Sequence, residues 1–253
     1  MPDNTSRFSN RASDYSAARP GYPPVLLDLL KSEAGLSKSS SIADIGSGTG
    51  ISALLFLDNG NTVFCVEPNK DMRAAAEAAL QPCYTNFRSS GGSAENTLLE
   101  SGSVDIVTAA QAFHWFDRDK AAAEFRRILK PGGFAVLIWN ERKRKGNPFF
   151  EDYEKLILKY ARDYSGVRHW NIDKTVFDDF FGKNGYHFNC LKNSQYLDRD
   201  GFKKRAMSTS YLPWSGEPGN AEMTAELETI FSKYQENSRI CFEYDTKVYI
   251  GRL

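Results

Sequence analysis

The sequence has no charge of one sign to spare: its 253 residues carry 32 Lys and Arg against 32 Asp and Glu. A chain so balanced lacks the whole-molecule field that gathers nucleic acid or an anionic membrane surface, so neither is expected as a partner. Cysteine is scarce. The four residues, Cys65, Cys83, Cys190 and Cys241, are widely spaced and form no C-x-x-C. That argues against a disulfide framework and for free thiols in a reducing, cytoplasmic setting. The three histidines, His114, His169 and His187, share no ligand spacing, so no metal site is expected. No apolar run reaches membrane-spanning length, and "MPDNTSRFSNRASDYSAARP" holds no apolar core of a signal peptide. Internal repeats and low-complexity tracts are missing too. The one basic run, "RKRK" at 142–145, reads either as a solvated loop or as a phosphate-binding or import signal.

What the chain does have is alternation. From Ser41 to about Asn140, short apolar runs ("SIADI", "NTVFCVE", "SVDIVTAAQ", "FAVLIWN") take turns with segments of helical spacing ("GISALLFLDN", "NKDMRAAAEAALQ", "DKAAAEFRRILK"). Asn69 is a capping residue for the second of these helices, and "KPGG" stops the third. Such alternation implies right-handed βαβ crossovers and a mostly parallel sheet covered on both faces. "FAVLIW" has no polar alternation, as a strand buried on both sides requires. The flanks differ. Residues 1 to about 36 hold "SNRASDYSAAR", "PGYPP" and the apolar helix "VLLDLLKSEA". Beyond Asn140 come two helical stripes, "NPFFEDYEKLILKYARDY" and "AEMTAELETIFSKYQ", with the aromatic-rich "FKKRAMSTSYLPW" between them. "ICFEYDTKVYIGRL" closes the chain with apolar residues at every second position, a strand period.

The loop after the first strand, "DIGSGTG", spends three glycines where glycine weakens packing and raises the entropy lost on folding. Gly46, Gly48 and Gly50 let the backbone turn sharply and let a ligand reach main-chain atoms. The next helix offers free N–H groups that favour an anionic group. The site lies at the C-terminal ends of the strands, where open α/β sheets bind ligands. A dinucleotide fingerprint would need glycine at position 51, which is isoleucine. The next strand ends on Glu67, seventeen residues past Gly50, a carboxylate able to accept both hydroxyl hydrogens of an unphosphorylated ribose. Asp44, the glycines and Glu67 therefore describe a nucleoside with a small anionic tail. The competing reading is a structural βα turn beside a surface acid.

"ADIGSGTG", "VEPNKDM", "GGSAENT", "AAQAFHWFD" and "ILKPGGFAVLIWN" occur in the order of the motifs of class I S-adenosylmethionine-dependent methyltransferases. "RFSNRASDYSAARPGYP" resembles the N-terminal segment of the small-molecule branch that includes trans-aconitate and ubiquinone- or menaquinone-type methyltransferases. The resemblance covers residues 7 to about 140. It implies a Rossmann-like, doubly wound α/β fold with a mostly parallel seven-stranded sheet, helices on both faces, an N-terminal lid and a C-terminal helical cap insertion. One domain over 1–253 would comprise a lid at 1–36, a cofactor core at 37–140, and a cap with the final strands at 141–253. Residue by residue, Gly46, Ser47 and Gly48 would line the methionine portion with Asp44 nearby, Glu67 would bind the ribose hydroxyls, and Gly50 and Pro68 would be further cofactor-binding residues. Met72 would pack on adenine, and Ser93, Ala94 and Glu95 would read its edge; the family often has aspartate where Ser93 stands. Gln111, Ala112 and Phe113 would border the sulfonium, with Tyr15 and Arg19 over the cofactor.

The expected reaction is in-line methyl transfer from adenosylmethionine to a small organic acceptor, on oxygen, leaving adenosylhomocysteine, with no metal. Positioning and exclusion of water supply much of such a rate. His114 is the one candidate general base, and Trp115 a wall of the reaction site; a packed histidine and a core tryptophan are the plainer readings. Tyr22, Trp139, Asn140, Phe149 and Tyr211 would line the acceptor pocket, although the aromatics at 149–164 suit a helix core equally. A carboxylate acceptor would want an arginine pair, for which Arg19 and Arg142 are available. Alternatives are a non-catalytic protein that binds adenosylmethionine or adenosylhomocysteine, and a nicotinamide-dependent oxidoreductase. The fourth-strand motif lacks the (D/N)-P-P-(Y/F/W) pattern of base methylation. A monomer or homodimer is expected.

Overall fold

The computed structural model describes residues 18–162, 164, 174–209 and 211–253. Tyr15 and most of "SNRASDYSAAR" lie outside them. The first described helix, α1 (Val25–Ala34), buries Leu26, Leu30 and Ala34 and ends at Gly35, whose φ of 64° lets its N–H reach Leu30 O. Strand β1 (Ser41–Ile45) leads to α2 (Ile51–Asp58), and β2 (Thr62–Val66) to α3 (Lys70–Leu80). The capping role of Asn69 holds, since its side chain accepts from the N–H groups of Asp71 and Met72. After β3 (Phe87–Ser90) and β4 (Val104–Ala110) come α4 (Arg118–Ile128) and β5 (Leu129–Arg142).

The five strands pair in parallel in the order β3-β2-β1-β4-β5. "KPGG" does more than stop a helix. Between the pairs Val104↔Leu129 and Ile106↔Phe134 the register shifts, so these residues bulge out of β5 while the ladder resumes beyond them.

Past β5 the chain builds α5 (Pro148–Tyr160), α6 (Lys174–Phe181), β6 (Tyr186–Leu197), α7 (Arg199–Met207), α8 (Asn220–Tyr234) and β7 (Ile240–Gly251). Strand β7 inserts antiparallel between β5 and β6 and completes a seven-stranded sheet. Three apolar clusters hold the molecule together, and burial of their side chains is the main driving force. One face of the sheet packs Ile42, Val136, Ile138 and Val248 against α1, α2 and α3. The other packs Val107, Leu137 and Trp139 against α4 and α6. The third lies beyond the sheet's C-terminal edge, where α5, α7 and α8 close on Ile240, Phe242 and Tyr244. The fold is thus the Rossmann-like α/β architecture expected, with its helical cap.

The basic run at 142–145 is not a free patch. Arg142 pairs with Glu154, Lys143 with Glu243 at 3.0 Å and Arg144 with Glu141 at 2.8 Å.

Candidate functional site

At the C-terminal end of β1 all three glycines adopt the left-handed region, with φ of 67° at Gly46, 57° at Gly48 and 84° at Gly50. Each has a different neighbour. A Cβ on Gly46 would lie 2.6 Å from Ala112 Cβ, and one on Gly50 2.5 Å from Leu80 Cδ1. One on Gly48 would meet only Met72 Cε at 3.4 Å. Gly46 and Gly50 are thus required by the protein's own packing, whereas Gly48 keeps a cradle open beside the buried Met72. The N–H groups of Gly46 and Ser47 donate to Val66 O at 2.8 and 3.2 Å, tying the loop to the tip of β2. Ser47 and Thr49 are buried, and Thr49 Oγ1 has no hydrogen-bond partner among the described residues.

Glu67 stands at that tip. Its Oε2 accepts from Gly48 N at 2.9 Å and its Oε1 from Asn69 N at 2.8 Å, so both oxygens are aimed by main-chain amides. Burial raises its pKa, while those two amides and the charge of Arg73 pull it back. Pro68 beside it is exposed. Asp44, fully buried in β1, accepts from Ser52 Oγ at 2.6 Å and Thr108 Oγ1 at 2.9 Å. Burial pushes its pKa to about 6, against the lowering pull of the two hydroxyls and with a smaller upward push from Glu67. Two buried carboxylates facing one glycine loop suit a ligand that carries positive charge and hydroxyl donors, which is what adenosylmethionine would bring. The unpartnered Thr49 hydroxyl, the cradle at Gly48 and the aimed Glu67 fit such a group.

The loop after β3 is pinned from below. Ser93 and Asn96 exchange backbone hydrogen bonds, Ser93 Oγ accepts from Glu95 N, and Glu95 Oε1 accepts from Asp117 N at 2.9 Å. Ala94 is buried. Glu124 on α4 anchors the far end of this loop, accepting from Thr97 N at 2.8 Å and from Thr97 Oγ1 at 2.5 Å while pairing with Arg127. The Arg127 guanidinium heads the causes that hold its carboxyl down at about 2. A depressed carboxyl contributes stability above its unfolded pKa, near 4.5, and loses it as pH falls through about 2. Glu124→Ala should therefore cost about 2 kcal/mol at pH 7 and about half of that or less at pH 3. Thermal melts at the two pH values check this; equal losses at both would remove the ionic account.

Gln111, just past β4, has φ of 57°, an uncommon conformation for a residue with a side chain. Its N–H donates to Ile138 O at 2.8 Å and its side-chain amide to Asn140 O at 2.9 Å. Asn140 is in turn the centre of a clasp. Its amide donates to Gly21 O at 3.0 Å, and its Oδ1 accepts from Thr246 Oγ1 and Asn193 Nδ2. Gln195 donates to Ala18 O at 3.2 Å, and Arg19 Nη2 to Ser208 O at 2.8 Å. The N-terminal strap thus lies across the ends of β5, β6 and β7, with Tyr22 packed on the first face's cluster.

Asp44, the glycines, Ser47, Glu67, Met72, Gln111 and Ala112 converge on one crevice. Other expected residues do not join it. The Phe113 ring is fully buried among Phe116, Trp139, Phe177 and Phe180 on the opposite face, leaving only its backbone for a ligand. Trp139 belongs to that same cluster, and Phe149 to the cap core, edge-on to Phe242 at 5.0 Å. Both expected pocket walls are therefore core side chains, because burial on the sheet's second face and in the helix interior claims them. His114 and Trp115 sit on a single turn after β4, ring centroids 4.7 Å apart, with the Trp115 side chain 39% exposed. The Tyr211 ring lies tilted against that of Tyr164 in the cap, centroids 5.0 Å apart. The sequence reading missed Ser52, Thr108, Asn193 and Gln195; each becomes visible only when strand ends are brought together.

A family profile described as a methyltransferase domain matches residues 43–137, the stretch from β1 through most of β5. An uncharacterized methyltransferase-like protein of Schizosaccharomyces pombe is 32% identical over 246 residues, spanning 96% of this chain and 93% of its own. Among solved structures, a provisionally assigned type II methyltransferase from Anaeromyxobacter dehalogenans superposes with a TM-score of 0.67 at 21% identity, over 92% of this chain and 97% of that one. The cyclase SpnF also shares the fold, with a TM-score of 0.55 at 17% identity over 97% and 93% of the two chains.

Proposed function

The chain belongs to the class I adenosylmethionine-dependent methyltransferase family, and on that premise we propose that it methylates a small organic acceptor on oxygen. Adenosylmethionine, when bound, supplies a methyl already activated on a cationic sulfur. The chain's own part is to bind, to aim and to keep water out. Glu67 takes the ribose hydroxyls on oxygens already fixed by Gly48 and Asn69, so little ordering is left to do on binding. Asp44 and the backbone around Gly46 to Gly48 receive the methionine end. Met72 packs against the adenine, and Ser93 to Glu95 meet its edge. Gln111 and Ala112 border the reaction site with main-chain atoms, the strained φ of Gln111 holding its carbonyl in a direction that relaxed β backbone would not give.

Acceptor and solvent are managed by the strap. Arg19 and Tyr22 cover the crevice from the N-terminal side, with Tyr15 outside the described residues, and the Asn140 clasp holds the strap to the cap. His114 is the candidate base for the acceptor's hydroxyl proton. The chain need supply no general acid, since the methyl donor would leave as a neutral thioether that takes up no proton.

The observation that carries the reading is the Glu67 carboxylate set against the open Gly48 cradle. Calorimetric titration with adenosylmethionine should give micromolar binding, and Glu67→Ala should weaken it about tenfold or more, corresponding to about 1–3 kcal/mol for a lost charged contact. A melt of the variant shows whether the loop has survived. No binding by a folded wild-type protein would end the methyltransferase reading, and binding unaffected by the substitution would move the ribose site elsewhere.

A further inference from the structure

The cap holds a buried positive charge that no described carboxylate neutralises. Arg205 on α7 is 7% exposed, and its Nε donates to Tyr244 Oη at 3.2 Å. Among the described residues no carboxylate pairs with it. Arg142, at the end of β5, lies with its guanidinium 5.0 Å from the Tyr153 ring centroid and is paired with Glu154. Glu154 is already shared, accepting from Tyr164 OH at 2.8 Å. Arg142 therefore has a carboxylate partner, whereas Arg205 has none among the described residues. Tyr153 is 1% exposed, and its hydroxyl has no hydrogen-bond partner among the described residues. A buried cation without a counterion and a buried phenol without a partner are each unfavourable alone. Their coincidence at one place points to a missing anion.

The position of this cluster matters as much as its charge. Arg142 follows Asn140 by two residues on β5, so both side chains leave the same face, about 7 Å apart along the strand. Tyr244 stands opposite Arg142 in the β5–β7 register, as Thr246 stands opposite Asn140. Ser208, which receives Arg19, follows Arg205 at the end of α7, and its hydroxyl donates to Arg205 O at 2.8 Å. The cluster thus adjoins the Gln111–Asn140 end of the crevice, under the strap.

We propose that this site seats a carboxylate of the methyl acceptor, held by Arg205 with the Tyr153 hydroxyl, while the Tyr244 hydroxyl, already donated to Gln195 Oε1 at 3.2 Å, holds the Arg205 side chain in place, so that the acceptor is a small organic monoacid. The inference rests on the methyl-transfer reading for the word acceptor; the anion site itself stands on the cap. A single uncompensated charge matches a carboxylate rather than a phosphate dianion, and a planar guanidinium matches a planar carboxylate. The aromatic surroundings favour an acid with an apolar body.

The test uses the full chain, with and without adenosylhomocysteine, and benzoate as probe against neutral benzamide. Benzoate should bind wild type at least tenfold more tightly than benzamide. Arg205→Gln should remove that preference while the adenosylhomocysteine affinity stays within twofold. Arg205→Met, which removes the unpaired charge and keeps the bulk, should melt at or above wild type without ligand. Equal binding of the two probes, no benzoate binding, or a preference that survives Arg205→Gln would overturn the proposal. So would a large drop in melting temperature for Arg205→Met, which would make the cation structural. Failure of adenosylhomocysteine to bind, with the benzoate preference intact, would instead sink the methyltransferase reading and leave the anion site standing.

Discussion

Gly46→Ala should melt roughly 4–20 °C below wild type, the larger of two unequal effects within one loop. A left-handed residue with a Cβ costs about 1–2 kcal/mol, and here the new atom would also sit 2.6 Å from Ala112 Cβ. Relieving that contact means moving the turn after β4, an overpacking penalty of about 1–3 kcal/mol more. At about 2–4 °C per kcal/mol for a chain of this size, the two together give the stated range. Gly48→Ala shares the left-handed φ but meets only Met72 Cε at 3.4 Å, so it should lose about 1–2 kcal/mol. Its damage should appear in the titration instead, because its methyl group projects into the cradle. Melts and calorimetry on both variants separate a glycine needed for packing from one needed for the ligand. Equal behaviour of the two would show that the distinction drawn from their neighbours is wrong.

Asp44→Asn should stabilise the ligand-free protein at pH 8 and do little at pH 4. The carboxyl titrates near 6 in the fold, against an ordinary value of 3.8, because burial disfavours its charge more than Ser52 and Thr108 relieve it. The folded state therefore binds the proton more tightly than the unfolded chain does. Stability from this group is fully present below pH 3.8, declines as pH rises, and is lost above about 6, a difference of about 3 kcal/mol. Asparagine removes that loss and can still exchange hydrogen bonds with both hydroxyls. Adenosylmethionine affinity should move the other way, falling in the variant, since a cationic ligand favours the ionised carboxylate. In wild type, binding below pH 6 should release a proton, visible as calorimetric heats that change with the buffer's ionisation enthalpy. Parallel pH–melting curves for wild type and variant would mean that Asp44 is not the titrating group.

The parallel half of the sheet was legible because its signals are local. A glycine loop, a capping asparagine and a run such as "FAVLIW" each state their own structure, and "DIGSGTG" with Glu67 names the crevice as well. What stayed hidden depends on which way a side chain turns. In a strand buried on both faces nothing in the sequence tells the face of Trp139 from that of Asn140, one residue on, so one looked as fit for a pocket as the other. Phe149 sits in a helical stripe whose period is the same whether the stripe covers a core or a ligand. Arg205 follows two lysines in "FKKRAM", and no local pattern marks the third cation as buried while its neighbours face water. Strand β6 went unread for a related reason. An edge strand exposed on one side, with Asn189, Lys192, Asn193 and Ser194 among its residues, lacks the apolar content that marks strands in the middle of the sheet.

The placement of β7 between β5 and β6 sets an order of assembly. Trp139 pairs with Lys247 and Arg142 with Tyr244, partners about a hundred residues apart in the chain. Contacts so distant close slowly, since the loop entropy is lost before the pairing returns it. On a ribosome, β1 to β5 have emerged and can pair long before residues 240–251 do, whereas β6 has no neighbour until β7 arrives. During that interval β5 presents an open edge, with Trp139 and Ile138 lacking their final cover. The same insertion makes the last strand an interior one: cutting the chain before Ile240 would not trim a margin but split the sheet and release β6 with the cap that rests on it.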